Sequence, residues 1–175
     1  MAATYTLISS VTVGSGGASS IDFTSIPSTY TDLVLKISGR TTRTAYNYSE
    51  LVIQVNGITS TSNYTTMILL GNNGSAVSFT ATTYAQLNYI STNKTTSGIF
   101  GSTEVYIPNY TSSNKKSMSV DGAAEVNGTD NAMGLNAILS NDTGAISSIK
   151  LFPATGESAT FVQYSTAYLY GISNA

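Results

Sequence analysis

The chain has no cysteine and no histidine among its 175 residues. Without cysteine there is no disulfide, no thiolate metal site and no nucleophilic thiol, so stability does not depend on oxidation. Without histidine the commonest general base and metal ligand is gone, and with it the Ser-His-Asp arrangement. Charge is scarce too: 9% of residues are charged, against about 25% in typical soluble domains. The 7 basic residues are scattered, Lys115-Lys116 being the one adjacent pair. A nucleic-acid binder would carry a basic stripe, so no nucleic-acid partner is expected. No apolar run approaches the ~20 residues of a membrane helix, which excludes that kind of membrane span. The start, Met1 to Leu7, has no basic region followed by an apolar core, so no signal peptide is expected. These absences together imply a soluble protein made in the cytosol.

What fills the chain is Ser, Thr, Asn and Gly, with 12 Tyr and 5 Phe. Disordered segments lack aromatic and β-branched residues; here those residues abound, and they fit a pleated, half-buried surface. Net charge is −2. The composition describes one folded β domain with a neutral polar coat, large enough to bury roughly 70% of its unfolded surface.

The pattern along the chain agrees. Strands are expected at Tyr5 to Val13, Ser19 to Phe23, Asp32 to Ser38, Glu50 to Val55, Asn63 to Leu70, Ala76 to Thr80, Ala85 to Ile90, Thr103 to Asn109, Lys116 to Ala124, Ala132 to Ser140 and Ile146 to Phe152. In the third, Leu33, Leu35 and Ile37 alternate inward while Asp32, Val34, Lys36 and Ser38 point away. Leu51, Ile53 and Val55 form one face of the fourth, and Asn56-Gly57 after it is a hairpin-type turn signal. The terminal segment Phe161 to Ile172 is the longest aromatic and aliphatic run. Its even positions Val162, Tyr164, Thr166, Tyr168 and Tyr170 are expected on one face, and Phe161, Gln163, Ser165, Ala167 and Leu169 on the other. Such a segment is tolerable in water only when paired in a sheet. About ten to twelve short strands with turn signals every ~8–12 residues predict an all-β, antiparallel β-sandwich of jelly-roll type with little or no helix. It is a single domain over residues 1–175.

The chemistry available is thin. With histidine absent, an enzyme would need carboxylates held about 5–9.5 Å apart for glycoside hydrolysis. Neither Glu104 nor the pair Asp121 and Glu125 announces such a site, so no catalytic residue is named and the chain is expected to be non-enzymatic, without cofactor. Asp121, Glu125 and Asp130 could offer oxygen ligands to calcium, but their spacing does not match an EF-hand loop, and acidic residues in turns are usually just solvated. Seven Asn-X-Ser/Thr triplets, at Asn47, Asn63, Asn73, Asn93, Asn109, Asn127 and Asn141, are what so Asn/Ser/Thr-rich a chain makes by chance. Tyrosine is the informative residue. Tyr46 and Tyr48, in an expected polar loop from Gly39 to Tyr48, are candidate contacts, since Tyr among Ser, Asn and Gly makes adhesive surfaces at small entropy cost. Tyr164, Tyr168 and Tyr170 are candidates as a strand face covered by a neighbouring subunit. The alternative for any one tyrosine is a ring buried at the sheet edge with its hydroxyl in water; this applies equally to Tyr30, Tyr64, Tyr84, Tyr89, Tyr106 and Tyr110.

Four stretches carry a resemblance: Thr4 to Pro27, Tyr30 to Leu35, Val105 to Tyr110 and Phe161 to Ile172. In that order along the chain they are similar to small structural proteins encoded by tailed bacteriophages, notably phages of aquatic bacteria. The resemblance implies a virion component made in the host cytoplasm and assembled on the particle exterior. It would be a capsid cement or decoration protein, or a tail or fibre part, and the resemblance brings no catalytic residues. Expected partners are the major capsid protein or tail proteins, further copies of the chain (a homotrimer, by analogy with shell jelly rolls on three-fold axes), and, for a receptor-binding module, host surface glycan.

Overall fold

The computed structural model describes residues 4–72, 74–82, 84–125, 127 and 131–173. Among them are twelve strands: β1 (Tyr5–Thr12), β2 (Ile21–Phe23), β3 (Asp32–Thr41), β4 (Tyr48–Val55), β5 (Tyr64–Asn72), β6 (Ser75–Ala81), β7 (Ala85–Thr92), β8 (Gly101–Ile107), β9 (Lys116–Ala124), β10 (Ala132–Ser140), β11 (Ile149–Pro153) and β12 (Thr166–Ile172). Among the described residues helix is confined to two short 3-10 turns, Thr61–Asn63 and Thr155–Glu157. The all-β sandwich expected from the alternation is what forms.

Two unequal layers make it up. The larger runs β1-β12-β3-β8-β9-β10-β5-β6 and the smaller β2-β11-β4-β7. Among the described residues every strand pairing is antiparallel except one, where Arg40 and Thr41 at the end of β3 run parallel to Ser91 and Thr92 of β7. That short junction makes the sheet mixed and carries the chain from one layer to the other. The core between the layers is built from the inward faces of β3 (Leu33, Leu35, Ile37), β4 (Leu51, Ile53, Val55), β8 (Val105, Ile107) and β12 (Ala167, Leu169), with Phe161 and Tyr110 wholly enclosed. Tyr110 is buried as an anchor, its hydroxyl donating to the Pro27 carbonyl.

A clasp fixes how the layers meet. β7, buried along its whole length, crosses β9 and β10, where Gly122 and Gly134 stand opposite each other. The side chain of Asn88 occupies the space that these glycines leave. Its Nδ2 donates to the Gly134 carbonyl at 2.9 Å and reaches the Gly122 carbonyl at 3.4 Å. Next to it Asn136 donates to the Leu87 and Gln86 carbonyls. A β-strand can slip by one residue and turn its faces over; here buried amide bonds hold β10 to one register.

Several expectations need correction. β12 begins at Thr166, because Tyr164 sits in a turn at φ 70°, a region that non-glycine side chains seldom adopt. The alternation across Phe161 to Ser165 is therefore broken, and Tyr164 does not share the face of Tyr168 and Tyr170. Asn56 and Gly57 do form a tight turn, both at positive φ, with the Ile58 amide donating to the Val55 carbonyl at 3.0 Å. It does not join a hairpin, since β4 pairs with β7 and β11. Val34 points away from the core as expected but is buried nevertheless. The presumed polar connection from Gly39 is in part strand, and Arg40 is buried. Its guanidinium donates to the carbonyls of Thr95, Thr96 and Ile99 and to Asn93, so it organises the loop after β7. Lys116, of the one basic pair, also turns inward onto the Ser112 and Asn114 carbonyls.

Candidate contact surfaces

The outer face of the large layer is set by strand parity. Since Ala167, Leu169 and Gly171 of β12 face the core, Tyr168 and Tyr170 must face out. Following the register across the layer gives a row Leu7, Tyr170, Val34, Tyr106, Ser119, Ala137, Met67 and Thr80. The next row reads Tyr168, Lys36, Glu104, Asp121, Leu135, Leu69 and Ser78.

Tyrosines dominate the β1-β12-β3-β8 end. The rings of Tyr168 and Tyr170 stack at 6.5 Å, and Tyr5 meets Tyr170 edge-on at 6.3 Å. Val34, between Tyr170 and Tyr106 in its row, is closed off from water. Tyr106 donates its hydroxyl to Asp32 Oδ2 at 2.8 Å, and the other oxygen of Asp32 accepts the Asn109 amide at 2.8 Å. That bond to a carboxylate raises the Tyr106 hydroxyl above its ordinary pKa. Lys36 pairs with Glu104 beside this patch, and Glu104 raises the lysine pKa. Tyr5, Tyr106 and Tyr168 stay exposed, so the aromatic patch is held in place and open.

The second candidate lies on the small layer. Tyr48 is the first residue of β4 and not a loop residue; its ring meets Tyr89 edge-on at 4.5 Å. Tyr46 is exposed in the connection before it, with the Arg43 guanidinium 4.4 Å from its ring centre. Arg43 also donates to the Tyr48 carbonyl at 3.1 Å and to Glu157. The Glu157 carboxylate takes further bonds from Ser49 Oγ and from the Glu50 amide at 3.0 Å. Burial pushes the Glu157 carboxyl above its ordinary pKa, against the opposing pull of Ser49, the Glu50 amide and Arg43. Glu50 in turn accepts the Tyr84 hydroxyl, whose pKa is driven up by burial and by that carboxylate. None of these links between distant residues is visible as a spacing in the sequence. Their effect is to hold the backbone under Tyr46 and Tyr48 rigid.

The five tyrosines thus fall into three places. Tyr168 and Tyr170 share the large layer's outer face, Tyr46 and Tyr48 flank Arg43 at the small layer, and Tyr164 stands exposed in the turn before β12. Tyr64, Tyr89 and Tyr110 are buried; the Tyr64 hydroxyl accepts the Val55 amide at 3.1 Å. Of the three acidic residues considered for calcium, Asp121 is on the outer face of β9 and Glu125 accepts the Asn127 amide; Asp130 lies outside the described residues, as does Asn73 of the triplets. Among the described residues no group of three acidic side chains is placed to hold a metal, and no helix is long and apolar enough to cross a membrane.

No protein-family model and no curated protein sequence matches the chain. Among solved structures, the CBM2 module of the evolved Dit of Lactobacillus casei BL23 phage J-1 aligns with 89% of this chain and 70% of that chain. The identity is 10% and the TM-score 0.20, a likeness too slight to carry fold or function.

Proposed function

We propose that the chain is a non-enzymatic structural protein of a tailed-phage virion, acting by surface contact, and that its role is capsid decoration. The observation that carries this is the open patch formed by Tyr5, Leu7, Tyr106, Tyr168 and Tyr170. Tyrosines on a rigid sheet lose little conformational freedom on contact and are enriched at the energetic centres of interfaces. Charges around it are few, the Lys36-Glu104 pair, Asp121 and the Asp32 carboxylate bonded to Tyr106, so docking would rest mainly on shape and hydrogen bonds and would depend little on salt. The sequence resemblance supplies the virion as the setting. Cryo-electron microscopy of the particle tests the proposal: many copies on the shell support decoration, density confined to the tail overturns the cement role, and absence from the particle overturns the virion role.

A second reading, recognition of host surface glycan, is favoured by one observation: Tyr46 is exposed on a backbone fixed by Arg43 and Glu157. A glycan array on the chain tests it, with binding that Tyr46→Ala abolishes as the supporting result.

A further inference from the structure

We infer that the outer face of β5 and β10 is a contact between two copies of this chain. β10 presents the wrong side to water. Its outward residues are Met133, Leu135, Ala137 and Leu139, whereas its inward ones include Gly134, Asn136 and Ser140. A shift of one residue would bury the larger apolar set, yet the Asn88 and Asn136 bonds hold the strand against it. β5 adds Met67 and Leu69, directly beside Ala137 and Leu135. Met133 is 66% exposed, Leu135 59%, Met67 54%, Leu69 50% and Leu139 40%. These five leave open roughly 500 Å² of apolar surface, within the ~300–600 Å² of the largest patch on a typical monomer, which is often functional. Antiparallel sheets facing water ordinarily put polar side chains there.

Size and charge point to a second copy as the occupant. Strands β9, β10 and β5, about 30 Å long, and β6, about 24 Å, lie about 4.8 Å apart and make a face of about 19 by 24–30 Å. With the relief of its side chains this approaches the ~800 Å² that a standard interface takes from each partner. The patch has an apolar centre and a rim of Ser117, Ser119 and Asp121 on one side and Ser78 and Thr80 on the other, the anatomy of a protein contact. Its centre carries no charge, so a two-fold axis through it brings no like charges together, and an isologous contact requires such self-complementarity. Two flat sheet faces stack at about 10 Å with interdigitated side chains. In the register only Ser119 lies between Ala137 and Tyr106, whereas Asp121, Glu104 and Lys36 lie between Leu135 and Tyr168. Tyr5, Tyr168 and Tyr170, on β1 and β12 beyond β8 and β3, stay open on pairing, and the inference holds independently of any virion role.

Sedimentation equilibrium of the purified chain, from micromolar to hundreds of micromolar, tests it. The expected result is reversible self-association with a dimer as the smallest associated species. Leu135→Lys and Met67→Lys, both at exposed positions, should each raise the dissociation constant about thirtyfold or more, while Tyr168→Lys leaves it unchanged. Unaltered circular dichroism and melting of each variant show that the fold is kept. A wild type that stays monomeric, or association that survives Leu135→Lys with Met67→Lys, overturns the inference.

Discussion

Gly134→Ala is the sharpest probe of the clasp between the layers. A Cβ built on Gly134 would lie 3.0 Å from Asn88 Nδ2, 3.1 Å from Asn88 Oδ1 and 3.3 Å from the Leu69 carbonyl oxygen. Asn88 cannot retreat freely, since its Nδ2 holds the Gly134 carbonyl and its Oδ1 accepts the Tyr89 amide at 2.8 Å. Overpacking of this kind costs about 1–3 kcal/mol, and stripping a buried amide of its partner about 1–3 kcal/mol more. A total of about 2–6 kcal/mol lowers Tm by about 4–24 °C in a domain of this size, at ~2–4 °C per kcal/mol. Gly14→Ala, where an added Cβ meets nothing within 4 Å, is the control and should leave Tm unchanged. Thermal unfolding followed by circular dichroism reads both. The mechanism makes a second demand: in an Asn88→Ala background Gly134→Ala should become milder, with a coupling of about 1–3 kcal/mol. A Gly134→Ala protein as stable as wild type, or costs that simply add, would refute the clasp.

Other perturbations separate the remaining ideas. Glu157→Gln should cost about 1–3 kcal/mol near neutral pH by leaving Arg43 without its carboxylate. Because the folded-state pKa of Glu157 is raised, the folded chain binds more protons just above the ordinary carboxylate range, so stability falls as pH rises through that window. Chemical denaturation at a series of pH values should show this slope in the wild type and its loss in Glu157→Gln. Gly171→Ala would set a Cβ 2.3 Å from Tyr30 Cγ, displacing the ring that covers the end of β12. A drop in Tm of several degrees is expected, and Tyr30→Ala should relieve most of the clash. Particles lacking the protein should release their genome at lower temperature than complete ones; unchanged heat release counts against decoration. Added back to such particles, Tyr168→Ala with Tyr170→Ala should bind at least about thirtyfold more weakly than wild type.

Much of the architecture could be read from the residues because one face of many strands is polar. Leu33, Leu35 and Ile37, then Leu51, Ile53 and Val55, then Val105 and Ile107, show the inward side directly, and the β9-β10 pairing follows from two strands flanking a polar link. β7 was the least legible strand: both its faces are covered, so Ala-Gln-Leu-Asn-Tyr-Ile-Ser-Thr has no alternation to read. β5 was ambiguous in the opposite way, since Met67 and Leu69 alternate with Ile68 and Leu70 and either side reads as a core face. What decides between them is Asn88, a residue from another layer. Arg40 lay in what reads as a polar connection, and its burial, like the inward turn of Lys116 at the start of β9, was not legible because the carbonyls that receive both belong to loop backbone. Of the candidate contacts, Tyr168 and Tyr170 were legible from parity alone. Tyr164 was not, because its positive φ is a property of the turn, and the Arg43-Glu157 network under Tyr46 joins residues 114 apart.

The position of β12 has a consequence for the order of events in the cell. β1 is synthesised well before β12, its sole strand partner among the described residues, and the side of β3 away from β8 stays open until β12 fills it. A nascent chain stopped anywhere before residue 166 therefore has an unpaired β1, an open slot through its larger layer and no tyrosine patch. Contacts this distant in sequence also make folding slow, of the order of milliseconds to seconds. Closure of the larger layer and completion of the tyrosine patch thus arrive in one late step. A truncated molecule would lack the Tyr168 and Tyr170 rings of that patch, so on the decoration reading a growing shell would take up complete copies and pass over fragments.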